Sequence, residues 1–183
     1  MRAGSQSSEQ ALANIRRAGN DLAVQVKRVV AAGAKYVVVV GPYNLERSPW
    51  GASTGQQGFL REMTSQFNNG TEKGGNENGL LNGLVDQGRN VLYVDAALHF
   101  NFVTAGPGAY NISNATTPVC TSVDPGPGIG IGANQVNSAL CTPSTLLPNV
   151  DPSLSLFADP IYFTSRGHVT FGDYAYEQVR RRF

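Results

Sequence analysis

The sequence predicts an α/β fold from two β-branched runs and the helical patterns around them. Tyr36-Val-Val-Val-Val40 and Asn90-Val-Leu-Tyr-Val94 are short and apolar, and each ends on turn chemistry, Gly41-Pro42 after the first and Asp95 after the second. An unbroken apolar run of this kind suits a strand covered on both faces, as in a parallel sheet. Helical periodicity precedes the first run and fills the interval between the two. Strand, helices and strand in that order imply a right-handed crossover between parallel neighbours.

The first helix opens on a capping-box pattern, Ser7 with Gln10 three residues on. It carries Ala11, Ile15, Ala18, Leu22, Val26 and Val29 at three- and four-residue steps, with Lys27 and Arg28 in its last turn. Gly33 stops it ahead of the first strand. Asn44 to Gly55 then reads as an irregular loop. Phe59, Met63 and Phe67 mark one face of a second helix that ends at Asn68-Asn-Gly70, and a third helix is expected from Asn76 to Val85, with Leu80, Leu81, Leu84 and Val85 inward. From His99 to Pro152 there is little periodicity, more chain than an ordinary connection holds. The last helix starts near Thr164, a fitting N-cap, and runs through Val169, Tyr174 and Val179.

The chain has 183 residues, 41% hydrophobic and 15% charged, which is enough for a single domain, residues 1–183, with a real core. A net charge of +1 without a basic stripe argues against nucleic acid as a partner; Arg180-Arg181-Arg182 suits the cationic last turn of a helix. No run approaches the ~18 apolar residues of a membrane span, and Met1-Arg-Ala-Gly-Ser-Gln-Ser-Ser lacks the apolar centre of a signal peptide. Cys120 and Cys141 bracket a loop rich in Gly, Pro, Asn and Ser. Either they pair, closing a loop of about 20 residues worth around 3 kcal/mol by the chain-entropy model, or they are free thiols of a reducing cytosol. The crosslinked alternative implies an exported protein.

The order of pieces resembles a known family. A helix, "AAGAKYVVVVGPYNLERSPWG", a Phe/Met helix, "GRNVLYVDAALHF", a paired-cysteine loop from "TPVC" to "ALC", and "LFADPIYFTSRGHVTFGDYAYEQVRRRF" are similar to the C-terminal two-thirds of the GDSL, or SGNH, serine esterases and lipases, above all the exported bacterial ones found as autotransporter passengers. The resemblance implies a three-layer, flavodoxin-like parallel sheet and hydrolysis of carboxylic esters or lipids by an acyl-serine route without cofactor. It also implies that the GDS and GxND blocks, which supply the nucleophile and oxyanion donors, lie ahead of this chain, so that the domain is N-terminally truncated.

In that family a late Asp-x-x-His supplies acid and base. Serine needs an imidazole, pKa ~6.5, to take its proton and a carboxylate to orient the ring. Asp159 matches the acid, Tyr162 stands at the base position, and Thr164 matches the threonine that follows. A phenol, pKa ~10 in free solution, is a poor proton acceptor at neutral pH, and its presence there would cost ~10⁴ or more in rate by analogy with triad deletions. His168, six residues on, is the candidate replacement, against packing on the first helical turn. His99 lies past a strand end, where it either faces a cleft or is hydrogen-bonded structurally. Ser48 and Ser165 are the local serines a rearranged site would use. Tyr43, Asn44 and Trp50 are the candidate substrate-binding residues, because the loop from Gly41 to Ala52 follows a strand end at the carboxyl edge of the sheet. Phe59 and Phe102 are further aromatic candidates for an acyl pocket.

Other signals carry less. Gly19-Asn20-Asp21 imitates an oxyanion block but falls inside a helical period. Gly128-Ile-Gly130-Ile-Gly132 satisfies a loose dinucleotide fingerprint, yet it lies in a Pro-rich loop, so it is expected to be flexible loop. Asn69, Asn111 and Asn114 head glycosylation sequons. Asp86, Asp95, Asp124 and Asp151 do not cluster with histidine at metal spacing, and no metal is implied. Two strands leave sheet edges open, so self-association or a missing N-terminal partner segment is expected. The alternative to an ester hydrolase, or part of one, is a non-catalytic relative that binds esters, glycans or a protein.

Overall fold

A computed structural model describes residues 6–70 and 78–183. The element order is α1 (Ser8–Ala31), β1 (Val37–Val40), α2 (Pro49–Thr54), α3 (Gln57–Asn68), α4 (Leu80–Gly83), β2 (Val91–Val94), α5 (Ala96–Ala105), β3 (Val123–Asp124), β4 (Gln135–Val136) and α6 (Ser165–Arg182), with short 3₁₀ turns between them. β1 and β2 pair in parallel with Val37 opposite Val91 and Val40 opposite Val94, as the two β-branched runs require. β3 and β4 form a small antiparallel hairpin. The fold is therefore mixed α/β with a small parallel sheet. The chain divides into two compact units, one of residues 45–57 and 100–173, the other of the remaining described residues.

In the unit that holds the parallel sheet, Val37, Val39, Val91 and Tyr93 lie on one face against Ala23, Val26 and Val30 of α1 and against Leu80 and Leu84. Ser7 caps α1 by accepting the Gln10 amide at 3.1 Å. The buried positions of α1 are Ala11, Gly19, Ala23 and Val26, whereas Leu22 and Val29 are exposed, so the inward stripe is rotated from the one its large side chains suggested. The reason is Gly19: a Cβ there would collide with the Phe67 carbonyl oxygen, so α1 reaches α3 through its smallest residue. Gly19-Asn20-Asp21 is helix packing. Of the expected helix from Asn76 to Val85, residues 76 and 77 lie outside the described residues; the rest is the short turn α4 followed by a 3₁₀ turn from Val85 to Gln87.

The other unit is built on aromatic stacking. Phe100 lies 3.9 Å from Phe163 and 5.8 Å from Phe171, and Phe157 lies 5.2 Å from Phe163 (ring centroids). Here two expectations are corrected. The loop from Asn44 to Gly55 contains α2, capped by Ser48, started by Pro49 and closed by Gly55 in the left-handed region. The region said to lack elements after His99 begins inside α5, which is apolar nearly all round and so shows no 3.6-residue period. The Gly128–Gly132 stretch lies in the loop between β3 and β4, at whose base Asp124 accepts the Gly126 amide and the Asn137 amide nitrogen, each at 2.8 Å.

Candidate functional site

The segment Leu156 to Thr164 forms a tight hairpin. Ala158 N–H donates to the Tyr162 carbonyl at 2.8 Å, Thr164 N–H donates to the Leu156 carbonyl at 2.9 Å, and Phe157 bridges Phe163. Thr164 then caps α6 by accepting the Gly167 amide at 3.3 Å, the capping role expected of it. Asp159 sits at the tip and is wholly buried. Its Oδ1 accepts the Ile161 amide at 2.9 Å and the Tyr162 amide at 2.7 Å, and its Oδ2 accepts the Ser138 amide at 3.0 Å. Three backbone donors thus replace the water shell of the carboxylate, which is what permits a charge at this depth.

No imidazole is among these partners. Tyr162 is half exposed, and His168 is exposed on the first turn of α6, its ring edge-on to Phe163 at 6.2 Å. Neither stands as a base on Asp159 in this arrangement. The α2 segment does meet the hairpin: Trp50 N–H donates to the Pro160 carbonyl at 3.0 Å, so Asp159, Tyr162 and the half-buried Trp50 belong to one local constellation. Ser48 Oγ donates to the Leu45 carbonyl at 2.7 Å and accepts the Gly51 amide at 2.9 Å, which makes it a helix cap. Ser165 is exposed at the head of α6. Tyr43 is half-buried and Asn44 buried; both fall in the unit with the parallel sheet.

That unit carries its own polar group at the carboxyl ends of its strands. A Cβ on Gly41, just past β1, would collide with Asn68 Oδ1 and Tyr93 Oη, and both of these buried atoms lack a hydrogen-bond partner among the described residues. Asn68 Nδ2 donates to the Pro42 carbonyl at 3.3 Å. Burial first, and then the Asp95 carboxylate and the Tyr174 phenol, push the Tyr93 phenol well above its ordinary range, so it stays neutral. Burial and Asp95 raise Tyr174 as well. Asp95 caps α5 by accepting the Leu98 amide at 2.9 Å. His99 is buried on α5 and stacks on Tyr174 at 4.7 Å; burial holds its imidazole below the usual value. It is a neutral, packed histidine.

Sequence reasoning missed Ser138 as a partner of Asp159, since the contact is made by a backbone amide and no side chain announces it. Cys120 and Cys141 are bridged, with Cα atoms 5.8 Å apart, which settles the choice the sequence left open. Among the described residues no group of three or more His, Cys, Asp or Glu is placed to hold a metal ion, and no helix is long and apolar enough to cross a membrane. Of the sequons, Asn114 uses its side-chain amide inside the fold, on the Thr117 carbonyl and Ser155 Oγ, while Asn111 is exposed. Thr71 of the Asn69 sequon lies outside the described residues.

No protein-family model matches the chain, and no curated protein matches it.

Proposed function

We propose that the chain is part of a GDSL/SGNH-type carboxylic ester hydrolase, exported and of bacterial type, with a three-layer flavodoxin-like sheet. It contributes the acid, Asp159, and, in Trp50, part of the wall of the ester- or lipid-binding site. The observation that carries the proposal is the buried Asp159 carboxylate at the tip of a hairpin placed directly before the last helix, where the resembling esterases present their acid. In the complete reaction a serine oxygen bonds to the ester carbonyl carbon, the alcohol leaves with the serine's proton, and water then releases the acid and restores the serine. Among the described residues no serine–imidazole pair accompanies Asp159, so the chain alone is expected to be inactive. The disulfide and the absence of a membrane-crossing helix among the described residues fit an exported protein.

The missing groups, in this reading, come from a separate segment that bears the GDS and GxND blocks. β1 supports that: among the described residues it has a neighbour on one side only, and Val38 and Val40 on its outward face are 45% and 44% exposed. A second reading, a non-catalytic ester- or glycan-binding relative, is favoured by one fact, the saturation of Asp159 by backbone donors.

The test treats the purified chain with a fluorophosphonate probe and a short-chain nitrophenyl ester. The chain alone should give no adduct and no turnover; a stoichiometric adduct on one serine sinks the proposal. The Tyr162→His variant, mixed with a segment bearing the GDS and GxND blocks, should then gain turnover. Saturable ester binding without turnover in that mixture would select the binding module.

A further inference from the structure

The Cys120–Cys141 bridge closes a ring around the Asp159 turn. On one side, Cys120 N–H donates to the Ala158 carbonyl at 3.0 Å, one residue before Asp159, and Val119 N–H donates to the Phe157 carbonyl at 3.1 Å. On the other side, Cys141 closes the 3₁₀ turn Ser138–Leu140 by donating its amide to the Ser138 carbonyl at 3.1 Å, and Ser138 gives its own amide to Asp159 Oδ2. Two chain segments therefore grip the turn, and the sulfur pair ties them to each other. Asn137 sets the aim of the second grip: its Oδ1 accepts the Ala139 amide at 3.0 Å, and its Nδ2 is anchored on Asp124. Thr121 N–H and Leu147 N–H, bonded to the Thr145 and Val119 carbonyls, hold the first grip from behind. Among the described residues no side chain binds the Asp159 carboxylate, and its Oδ2 takes the Ser138 amide of the crosslinked loop.

We infer that the Cys120–Cys141 bridge, with Asn137, is the positioning device of Asp159, and that reduction of the bridge releases the carboxylate. Cys120 is buried and Cys141 partly exposed, so a thiol reaches the Cys141 sulfur first. In that step a thiolate of a dithiol bonds to Cys141 Sγ, the sulfur–sulfur bond breaks and Cys120 leaves as thiolate. The second thiol of the reagent then displaces Cys141. Two protons and two electrons pass to the protein, and the dithiol becomes a cyclic disulfide. Ser138 is then free to leave Oδ2, and one oxygen of the acid becomes available to another donor. As a statement about the acid of an ester hydrolase this rests on the function proposed above; the clamp itself does not.

The experiment is amide hydrogen exchange on the full chain, oxidised and after treatment with a dithiol, which needs no ester activity and so separates the two ideas. Reduction should speed exchange of the Ser138, Ile161 and Tyr162 amides by ~10-fold or more while the amides of α6 stay protected, as expected for local opening. Asn137→Ala, with the bridge intact, should speed the Ser138 amide in the same way. Unchanged exchange at all three amides, or loss of α6 protection together with them, overturns the inference, the second because the bridge would then be a general staple. Retained protection in Asn137→Ala removes Asn137 from the device.

Discussion

A carboxylate with no exposed surface survives at Asp159 because amides stand where water would. Asp159→Ala leaves three donors without their acceptor and should cost about 3 kcal/mol or more in urea unfolding. Tyr162→Phe removes only an exposed hydroxyl and should stay within about 0.5 kcal/mol. Both values come from the same denaturation series, and equal effects would contradict the geometry. His99 gives a pH signature with a definite sign. Its folded pKa lies below the unfolded one, so as pH falls through ~6.5 the unfolded ring takes up a proton that the buried ring refuses, and stability drops. Between about pH 8 and about pH 5.5, His99→Leu should lose less stability than the parent chain, His168 being common to both. Tyr93 behaves in the opposite sense: its raised folded pKa makes stability fall above ~10, and Tyr93→Phe should flatten that alkaline limb. Both residues are visible in the sequence. Their burial is not, because it depends on which helix face and which strand end they meet.

At the scale of elements, glycines separate packing from propensity. Gly19→Ala would normally favour a helix by about 1 kcal/mol, yet its Cβ meets the Phe67 carbonyl, so the variant should lose about 1–3 kcal/mol. Gly172, inside α6 with open space around it, should gain up to about 1 kcal/mol as alanine. Thermal unfolding of the two variants checks the opposed signs. The same contrast explains what could be read in advance. β1 and β2 were legible because Val37–Val40 and Val91–Val94 carry an unambiguous β-branched signal, and α6 because Thr164 and the arginines mark its ends. α5 was hidden because Ala96 to Ala105 is apolar on almost every face. α2 showed its Ser48, Pro49 and Gly55 punctuation but is only six residues long. The rotated stripe of α1 follows from a close approach that a list of apolar positions does not encode.

For the whole molecule, the bridge and the sheet edge set the conditions of use. Reduction of Cys120–Cys141 should lower stability by about 3 kcal/mol on the chain-entropy model, measured in urea with and without a dithiol. The outer edge of β1 carries four valines and no charge or proline to discourage pairing. Sedimentation should therefore show concentration-dependent association, reduced in Val38→Lys; a monomer at every concentration would speak against the edge as a contact. The candidate site was legible only in its side chains: Asp159 stood out in sequence, whereas the amides that hold it belong to residues 21 positions upstream and up to 3 downstream. One feature gives that turn an optical handle. Trp50 is the only tryptophan of the chain, and its own amide is bonded to Pro160. Excitation of a single indole thus reports on the Asp159 hairpin without labelling, so thiol titration and ester addition can be followed as emission shifts in real time.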